Sequence, residues 1–223
     1  MITLHHLENS QSIRILWLLE ELGAEYDLKK YKRDETTSLA PQEYKHLHSV
    51  GTAPIITEGD LVLPETNAIV DYILDKYPNK TLRPEAGTEN RALYLYWFHA
   101  CQGSLTPLLL DTLIFNRMET KPPFFMRPII KAVTSKVRAL FLEPRLNGML
   151  AHIEDQLGRT KWIAGNELTA ADIVLAYSLE VAHVRLGLTD KYPNIKGYIS
   201  QVNERPAYKT ALEKGGEFNP LRG

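Results

Sequence analysis

Two serines and an asparagine stand together near the start of the chain, in the stretch NSQSIRILWLLEEL at residues 9–22. The hydroxyls of Ser10 and Ser12 and the amide of Asn9 can each donate a hydrogen bond. They lie where a short apparent strand passes into an apparent helix. A serine at a helix start is often an N-cap, so capping alone would account for Ser10. A cap and a chemical role are compatible at the same helix end.

A second group of candidate residues lies in VGTAPIITEGDLVLPETNAI, residues 50–69. The residue before a proline is extended, and an X–Pro bond is the one that is readily cis. We expect a cis Ala53–Pro54 bond that turns the Ala53 N–H and C=O outward, where they can pair with an extended peptide. Glu65 and Thr66 precede a predicted helix, whose N-terminus favours a carboxylate, while Glu65 can hold an ammonium group. Together these features suit a small zwitterionic peptide, although each alone also fits a turn or a cap.

The overall composition excludes several kinds of partner. The chain has 223 residues, 44% hydrophobic and 24% charged, with a formal net charge of −1, as in a folded globular protein. It has no basic block for nucleic acid or anionic lipid. No apolar run approaches the roughly 18 residues of a membrane span, and the first residues lack the pattern of a signal peptide. We therefore expect no nucleic acid partner, no membrane span and a cytoplasmic location.

Cysteine and histidine chemistry is limited. A single cysteine, Cys101, cannot form an internal disulfide or a cysteine-rich zinc site, so any thiol chemistry must use a thiol from outside. Cys101 follows Trp97 and Phe98 at helical spacing and is expected to be a packing residue. His5 and His6 are neighbours on a predicted strand and so face opposite ways. We expect structural or solvent-facing histidines and no metal site.

Hydrophobic periodicity and turn residues predict the elements that position these groups. A strand at residues 2–7, a helix at 10–22 ended by Gly23 and a strand at 25–31 form a βαβ unit. A short helix at 41–47, a hairpin of strands at 53–57 and 61–63, and a helix beginning near Thr66 follow.

The pattern changes after Pro78, where the polar segment PNKTLRPEAGTE predicts a surface connection. Helical periodicity then covers residues 90–117, 127–157 with a break near Pro144, 170–186, 194–203 and a short stretch after Pro206. We predict an α/β domain at residues 1–83, a linker at 84–89 and an all-helical domain at 90–223. In GNELTAADIVLAY, Thr169 and Asp172 predict a capping box, with Leu168 and Ile173 as its hydrophobic staple.

These motifs, in this order, resemble the glutathione S-transferase superfamily. Residues 2–83 resemble its thioredoxin-like domain: the Ser10 turn, GTAP for the family's G-K-V-P, and LPETNAI for its L-x-E-S-x-A-I. The helical half resembles its all-α C-terminal domain, with LTAAD as its [ST]-x-x-D cap. GSLTPLLLDTLIF further resembles the fungal and bacterial branch. The resemblance implies the glutathione transferase fold, glutathione as co-substrate and no tightly bound cofactor.

The resemblance also implies roles for individual residues. Glu65 and Thr66 would hold the γ-glutamyl end of glutathione, and Ala53 and Pro54 its middle. The usual lysine of G-K-V-P is Thr52 here, so Lys45 and His48 are candidates by position for the glycine carboxylate. These two lie close by in sequence.

The resemblance gives the serines a chemical role. Family members place a hydroxyl after the first strand, where it donates to the glutathione sulfur and favours the thiolate. A free thiol has a pKa of about 8.5, and lowering it by about two units takes roughly 2.7 kcal/mol. One charge-assisted hydrogen bond of about 1.5–3 kcal/mol has that size. Ser10 lies four residues before Arg14, as in serine-type members, and is favoured. Ser12 and Asn9 remain alternatives, and the tyrosine that other classes use is absent from this turn.

The resemblance leaves two function classes open. One is an enzyme that transfers the glutathione thiol to a small hydrophobic electrophile, or reduces peroxides with it. The other is a non-catalytic binding or regulatory protein of the same fold. The electrophile would bind between the domains against the helix at 90–117, where Tyr96 and Phe115 face either it or the core. A homodimer built from the third and fourth helices and the first domain is also implied.

Overall fold

The N-terminal part of the chain folds into a four-stranded mixed sheet with helices. The computed structural model describes residues 1–79, 81–188, 191–216 and 219. In chain order, the first elements are β1 (Ile2–Leu7), α1 (Ser12–Leu22), β2 (Tyr26–Tyr31), α2 (Gln42–Lys45), β3 (Ile55–Glu58), β4 (Leu61–Pro64) and α3 (Thr66–Lys76). The strand order is β2-β1-β3-β4. β1 pairs parallel to β2 and antiparallel to β3, and β3 and β4 form a hairpin, which confirms the predicted βαβ unit and hairpin.

Both faces of β1 are covered, because its side chains alternate between two cores. Leu4 belongs to the main hydrophobic core, together with much of α1 and α3. Leu7 belongs to a smaller cluster with Tyr31, Tyr44 and Ile55. A strand that is buried on both faces is apolar throughout or, as here, has polar side chains that are hydrogen-bonded.

The remainder of the described chain is helical. Its elements are α4 (Glu89–Ala100), α5 (Thr106–Thr120), α6 (Arg127–Val137), α7 (Glu143–Leu157), α8 (Ala170–Leu186), α9 (Pro193–Asn203) and α10 (Pro206–Gly215). α8 is buried along most of its length and packs against α1, α4 and α9. None of the described helices is long and apolar enough to cross a membrane.

Two π-helical turns were not expected from the sequence. They occupy Cys101–Leu105, between α4 and α5, and Arg138–Leu142, between α6 and α7. Each comes directly before a proline in the first turn of the next helix, Pro107 or Pro144. Proline lacks the N–H of an α-helical hydrogen bond, and its ring clashes with the carbonyl four residues earlier. The helix therefore widens by one residue, so the predicted break near Pro144 is a π-helical turn rather than an interruption.

The predicted capping box at the start of α8 is confirmed. The reciprocal contacts between Thr169 and Asp172 are present, and the Thr169 N–H donates to Asp172 Oδ2 at 2.9 Å. Asp172 Oδ1 also accepts the Ile163 N–H at 2.7 Å. Burial raises the pKa of Asp172 to about 6, although these hydrogen bonds oppose the shift. Leu168 and Ile173, the expected staple residues, are both buried.

Candidate functional site

The junction between β1 and α1 carries the three candidate donors. α1 begins at Ser12 and has Gln11 at its N-cap position, two residues later than the predicted start at Ser10. Asn9 has a φ of 50°, in the left-handed region that asparagine tolerates better than most residues. This conformation reverses the chain between strand and helix. Ser10 therefore belongs to the turn and not to the helix.

Ser10 borders a small cavity, as Asn9 also does. Its Oγ donates to the Leu7 carbonyl at 2.7 Å and accepts the Ser12 N–H at 3.2 Å. It is 5% exposed and lines a pocket of about 150 Å³, whose other walls include His6, Asn9 and Gly215. Its hydroxyl thus holds the turn, as capping requires, and the residue lines a small cavity.

Ser12 is enclosed. It is 0% exposed, accepts the Leu7 N–H at 3.2 Å, and its Oγ lies 2.9 Å from Nδ1 of His6. Burial lowers the pKa of His6 to about 4, and a hydrogen bond with the Gly215 backbone offsets this in part, so the ring is neutral at pH 7. These contacts make Ser12 a structural link between strand and helix.

Asn9 is held by neighbours on both sides. Its Oδ1 accepts the Asn219 N–H at 2.8 Å, and its backbone carbonyl accepts from Arg33 at 3.3 Å.

Among the described residues, no group of three or more histidine, cysteine or acidic side chains could hold a metal. His5 and His6 face opposite ways as expected, but both are buried, which makes them structural rather than solvent-facing. Cys101 is buried as well, and its Sγ donates to the Val174 carbonyl at 3.2 Å.

The GTAP segment lies immediately before β3. The Ala53–Pro54 bond is cis, as predicted, and Ala53 precedes the first paired residue of the strand, Ile55. Thr52 is exposed and Pro54 is buried.

Lys45 and His48 lie near the same segment. A Cβ on Gly51 would be 3.6 Å from the backbone and side chain of Lys45, so this lysine flanks the GTAP turn. His48 Nδ1 accepts the Val50 N–H at 3.2 Å, which leaves the other ring nitrogen for another contact. Both side chains are half-buried.

Glu65 and Thr66 stand at the junction of β4 and α3. Glu65 is exposed and has a φ of 74°, whereas Thr66 begins α3 and is buried. The Thr66 hydroxyl donates to Oε1 of Gln11 at 3.3 Å. This contact brings the N-termini of α1 and α3 together, whereas the cavity that Ser10 lines includes no residue of the GTAP or ETNAI segment.

Sequence reasoning missed the role of Arg14, which contacts Gln11 at this junction. Arg14 is 1% exposed, and in the part of the chain that the structure describes it forms no ion pair with a carboxylate. Its Nη1 donates to Gln11 at 2.6 Å and to Gln102 at 3.0 Å. Its Nη2 donates to Ser178 at 2.7 Å, and its guanidinium lies 4.7 Å from the ring centre of Tyr177. In the sequence, the only signal at Arg14 is its spacing from Ser10.

One cavity borders the helix that was expected to form a wall of the second-substrate site, but none of its lining residues comes from the first domain. A cavity of about 300 Å³ lies between α5 and α8, lined by Leu109, Thr112, Leu113, Asn116, Arg117, Val181, Val184, Arg185 and Leu186. Tyr96 and Phe115 do not line it. The ring of Tyr96 instead lies edge-on to those of Trp97 and His152.

Two family models match the chain. Residues 1–75 match the glutathione S-transferase N-terminal domain, and residues 125–215 match the glutathione S-transferase C-terminal domain. The chain is 30% identical over 214 residues to glutathione S-transferase 3 of Schizosaccharomyces pombe, covering 96% of this chain and 88% of that protein. It is 24% identical over 223 residues to glutathione S-transferase 1 of Saccharomyces cerevisiae, covering 96% and 95%.

A solved structure shows a similar fold. It is a glutathione S-transferase from Actinobacillus pleuropneumoniae, which is 36% identical in sequence with a TM-score of 0.79. The similarity covers 100% of this chain and 97% of the other.

Proposed function

Because this chain belongs to the glutathione S-transferase family, we propose that it is an enzyme that binds glutathione as co-substrate and transfers its thiol to small hydrophobic electrophiles. The contact between Thr66 and Gln11 carries this proposal, since it brings the N-termini of α1 and α3 together. Helix N-termini favour anions, and glutathione presents two carboxylates and an ionisable thiol.

The peptide has a defined placement in this proposal. The exposed Glu65 carboxylate holds the ammonium group, and Thr66 holds the neighbouring carboxylate with its N–H and hydroxyl. The backbone of Ala53 pairs with the middle of the peptide, beside Pro54. Lys45 and His48 reach the glycine carboxylate, because Thr52 carries no charge and Lys45 flanks the turn before it.

Thiol activation falls to Ser10. In this proposal its hydroxyl turns from the Leu7 carbonyl to the sulfur, and the new charge-assisted hydrogen bond favours thiolate over thiol. The thiol loses its proton to solvent water. The thiolate then forms a carbon–sulfur bond to the electrophile while the electrophile's leaving group departs, or while a double bond takes up the electron pair and then a proton. Ser12 is a weaker candidate because its side chain is 0% exposed. In Asn9, the side-chain oxygen already accepts a hydrogen bond from the Asn219 N–H.

The assembly and division of the chain are also proposals. We place a homodimer interface on α3, α4 and the first domain, where Val62, Leu95 and Tyr96 are 37%, 38% and 44% exposed. Exposed apolar side chains are typical of subunit interfaces. We also propose that residues 84–89 link the two domains and that the protein is cytoplasmic. Both proposals rest on the sequence.

Two measurements test the enzyme against its alternative, a non-catalytic binding or regulatory protein. Titration calorimetry of the purified chain with glutathione should show binding, and a panel of electrophiles and peroxides should show glutathione-dependent turnover. Binding without turnover on the whole panel would favour the non-catalytic alternative. Absence of both would refute the proposed function. Turnover on peroxides alone would make the protein a peroxidase rather than a conjugating enzyme.

A further inference from the structure

The orientation of the Gln11 side-chain amide is determined by Arg14. A guanidinium has hydrogen-bond donors and no acceptor, so whatever faces it must be an acceptor. Arg14 Nη1 lies 2.6 Å from Oε1 of Gln11 and 3.0 Å from Oε1 of Gln102. Both glutamines therefore turn their oxygens toward the arginine and their NH₂ groups away from it.

The side-chain oxygen of Gln11 accepts hydrogen bonds from three residues, whereas its NH₂ group donates none of these bonds. Besides Arg14, Oε1 accepts from Gln102 Nε2 at 3.0 Å and from the Thr66 hydroxyl at 3.3 Å. Within the described residues, no hydrogen bond is found from Nε2 of Gln11. Gln11 is half-buried while Arg14 and Thr66 are buried. The NH₂ group therefore has no hydrogen-bond partner among the described residues and is available as a donor at this helix N-terminus.

The charge behind the amide favours an anion in front of it. Arg14 is 1% exposed, and its contacts are the neutral Gln11, Gln102, Ser178 and Tyr177. Burial of the guanidinium lowers its pKa, as expected for a cation removed from water. A buried charge without a counter-ion is costly, and an arriving carboxylate reduces that cost.

We propose that Gln11 is a glutathione-binding residue, whose NH₂ group donates to the γ-glutamyl carboxylate beside Thr66, and that Arg14 is the positioning residue that holds the amide in this orientation. The inference rests on the proposed function, because it concerns the same peptide. It adds the N-cap side chain of α1 to a carboxylate site assigned above to α3 alone. Gln102, from the π-helical turn, joins the helical domain to this site.

The substitution Gln11→Glu separates binding from packing. It keeps an oxygen for Arg14 but replaces the NH₂ donor by a second, negatively charged oxygen. We expect the dissociation constant of S-methylglutathione, measured by calorimetry, to rise about tenfold to a hundredfold. The thermal unfolding midpoint should stay the same or rise, since the new carboxylate pairs with Arg14. A purely structural Gln11 predicts unchanged affinity, and that result would overturn the inference.

Two controls make the result specific. Gln201→Glu makes the same chemical change on α9, where the amide donates to the Lys161 carbonyl, and should change the affinity by less than about threefold. An S-methylglutathione analogue with 4-aminobutyrate in place of the γ-glutamyl residue lacks the carboxylate, so Gln11→Glu should not weaken its binding. Equal weakening for both ligands would overturn the inference. Failure of the unmodified chain to bind S-methylglutathione would instead refute the proposed function.

Discussion

The hydroxyl oxygens of Ser10 and Ser12 lie 2.8 Å apart, yet Ser10 borders a cavity and Ser12 is enclosed. Ser12 is tied to His6 and to the backbone of Leu7. The two serines are therefore expected to differ in function although they are neighbours and chemically identical.

Ser10→Ala should lower kcat about tenfold to a hundredfold, which corresponds to the loss of one charge-assisted hydrogen bond. The kinetic pKa of bound glutathione should rise, while the affinity for glutathione changes little, because the bond is made mainly to the thiolate. A pH profile of kcat for the best electrophile measures the rate and the kinetic pKa, and calorimetry measures the affinity for glutathione.

Ser12→Ala is the matched control. It leaves the buried Leu7 N–H without its side-chain acceptor, so we expect a loss of about 1–3 kcal/mol in unfolding free energy and an unchanged thiol pKa. If Ser12→Ala or Asn9→Ala shifts the pKa and Ser10→Ala does not, Ser10 is the wrong donor. If none of the three does, the turn is only a structural cap.

Thr66→Ala should raise the KM for glutathione about tenfold or more, because it removes one hydrogen bond to a carboxylate. Thr66→Ser keeps the hydroxyl and should retain most of the affinity. Steady-state kinetics at saturating electrophile measure this. An unchanged KM in the alanine variant would place the γ-glutamyl end elsewhere.

Light scattering at micromolar concentration should give twice the 25.4 kDa chain mass. Leu95→Glu should shift the mass toward the monomer, because a charge is placed at the proposed interface on α4. Val133→Glu adds a charge on α6, at a side chain 62% exposed, and should leave the dimer intact. A wild-type mass near 25.4 kDa would refute the homodimer.

Glu180→Gln should alter how stability depends on pH. Burial raises the pKa of Glu180 from 4.5 to about 7, against the hydrogen bond from Tyr208. The raised pKa means that the contribution of this carboxyl to stability is fully present below pH 4.5 and is lost as the pH rises through 7. The variant should therefore gain stability relative to wild type between these values, by about 3 kcal/mol at most. Urea unfolding at several pH values measures the difference, and a pH-independent difference would contradict the assignment.

Asp172→Ala should destabilise the helical domain by about 2–5 kcal/mol, because the buried N–H groups of Ile163 and Thr169 lose their acceptors. Glu167→Ala, at an exposed carboxylate in the same loop, should cost less than about 0.5 kcal/mol. Urea unfolding distinguishes the two. Equal effects would mean that the capping box contributes little.

The sequence by itself determined those features that depend on neighbours in the chain. Helix and strand periodicity, the capping box of Thr169 and Asp172, and the Ala53–Pro54 step were all readable, because each is set within a few residues. The motifs that resemble the glutathione S-transferases are local for the same reason. Even the widening at the two π-helical turns has a local cause in Pro107 and Pro144, but its outcome, a wider turn instead of a break, was not predicted.

Only the tertiary structure decided which polar side chains meet. Gln11 and Gln102 are 91 positions apart, and Arg14 and Ser178 are 164 apart, so no local pattern connects them. Burial likewise separated Ser10 from Ser12, which the sequence left as alternatives. Hydrogen bonds and the exclusion of water act over a few ångströms of space, whatever the distance along the chain. The elements of this protein could therefore be predicted one by one, but the hydrogen-bonded cluster around Arg14 exists only once the two halves of the chain have packed together.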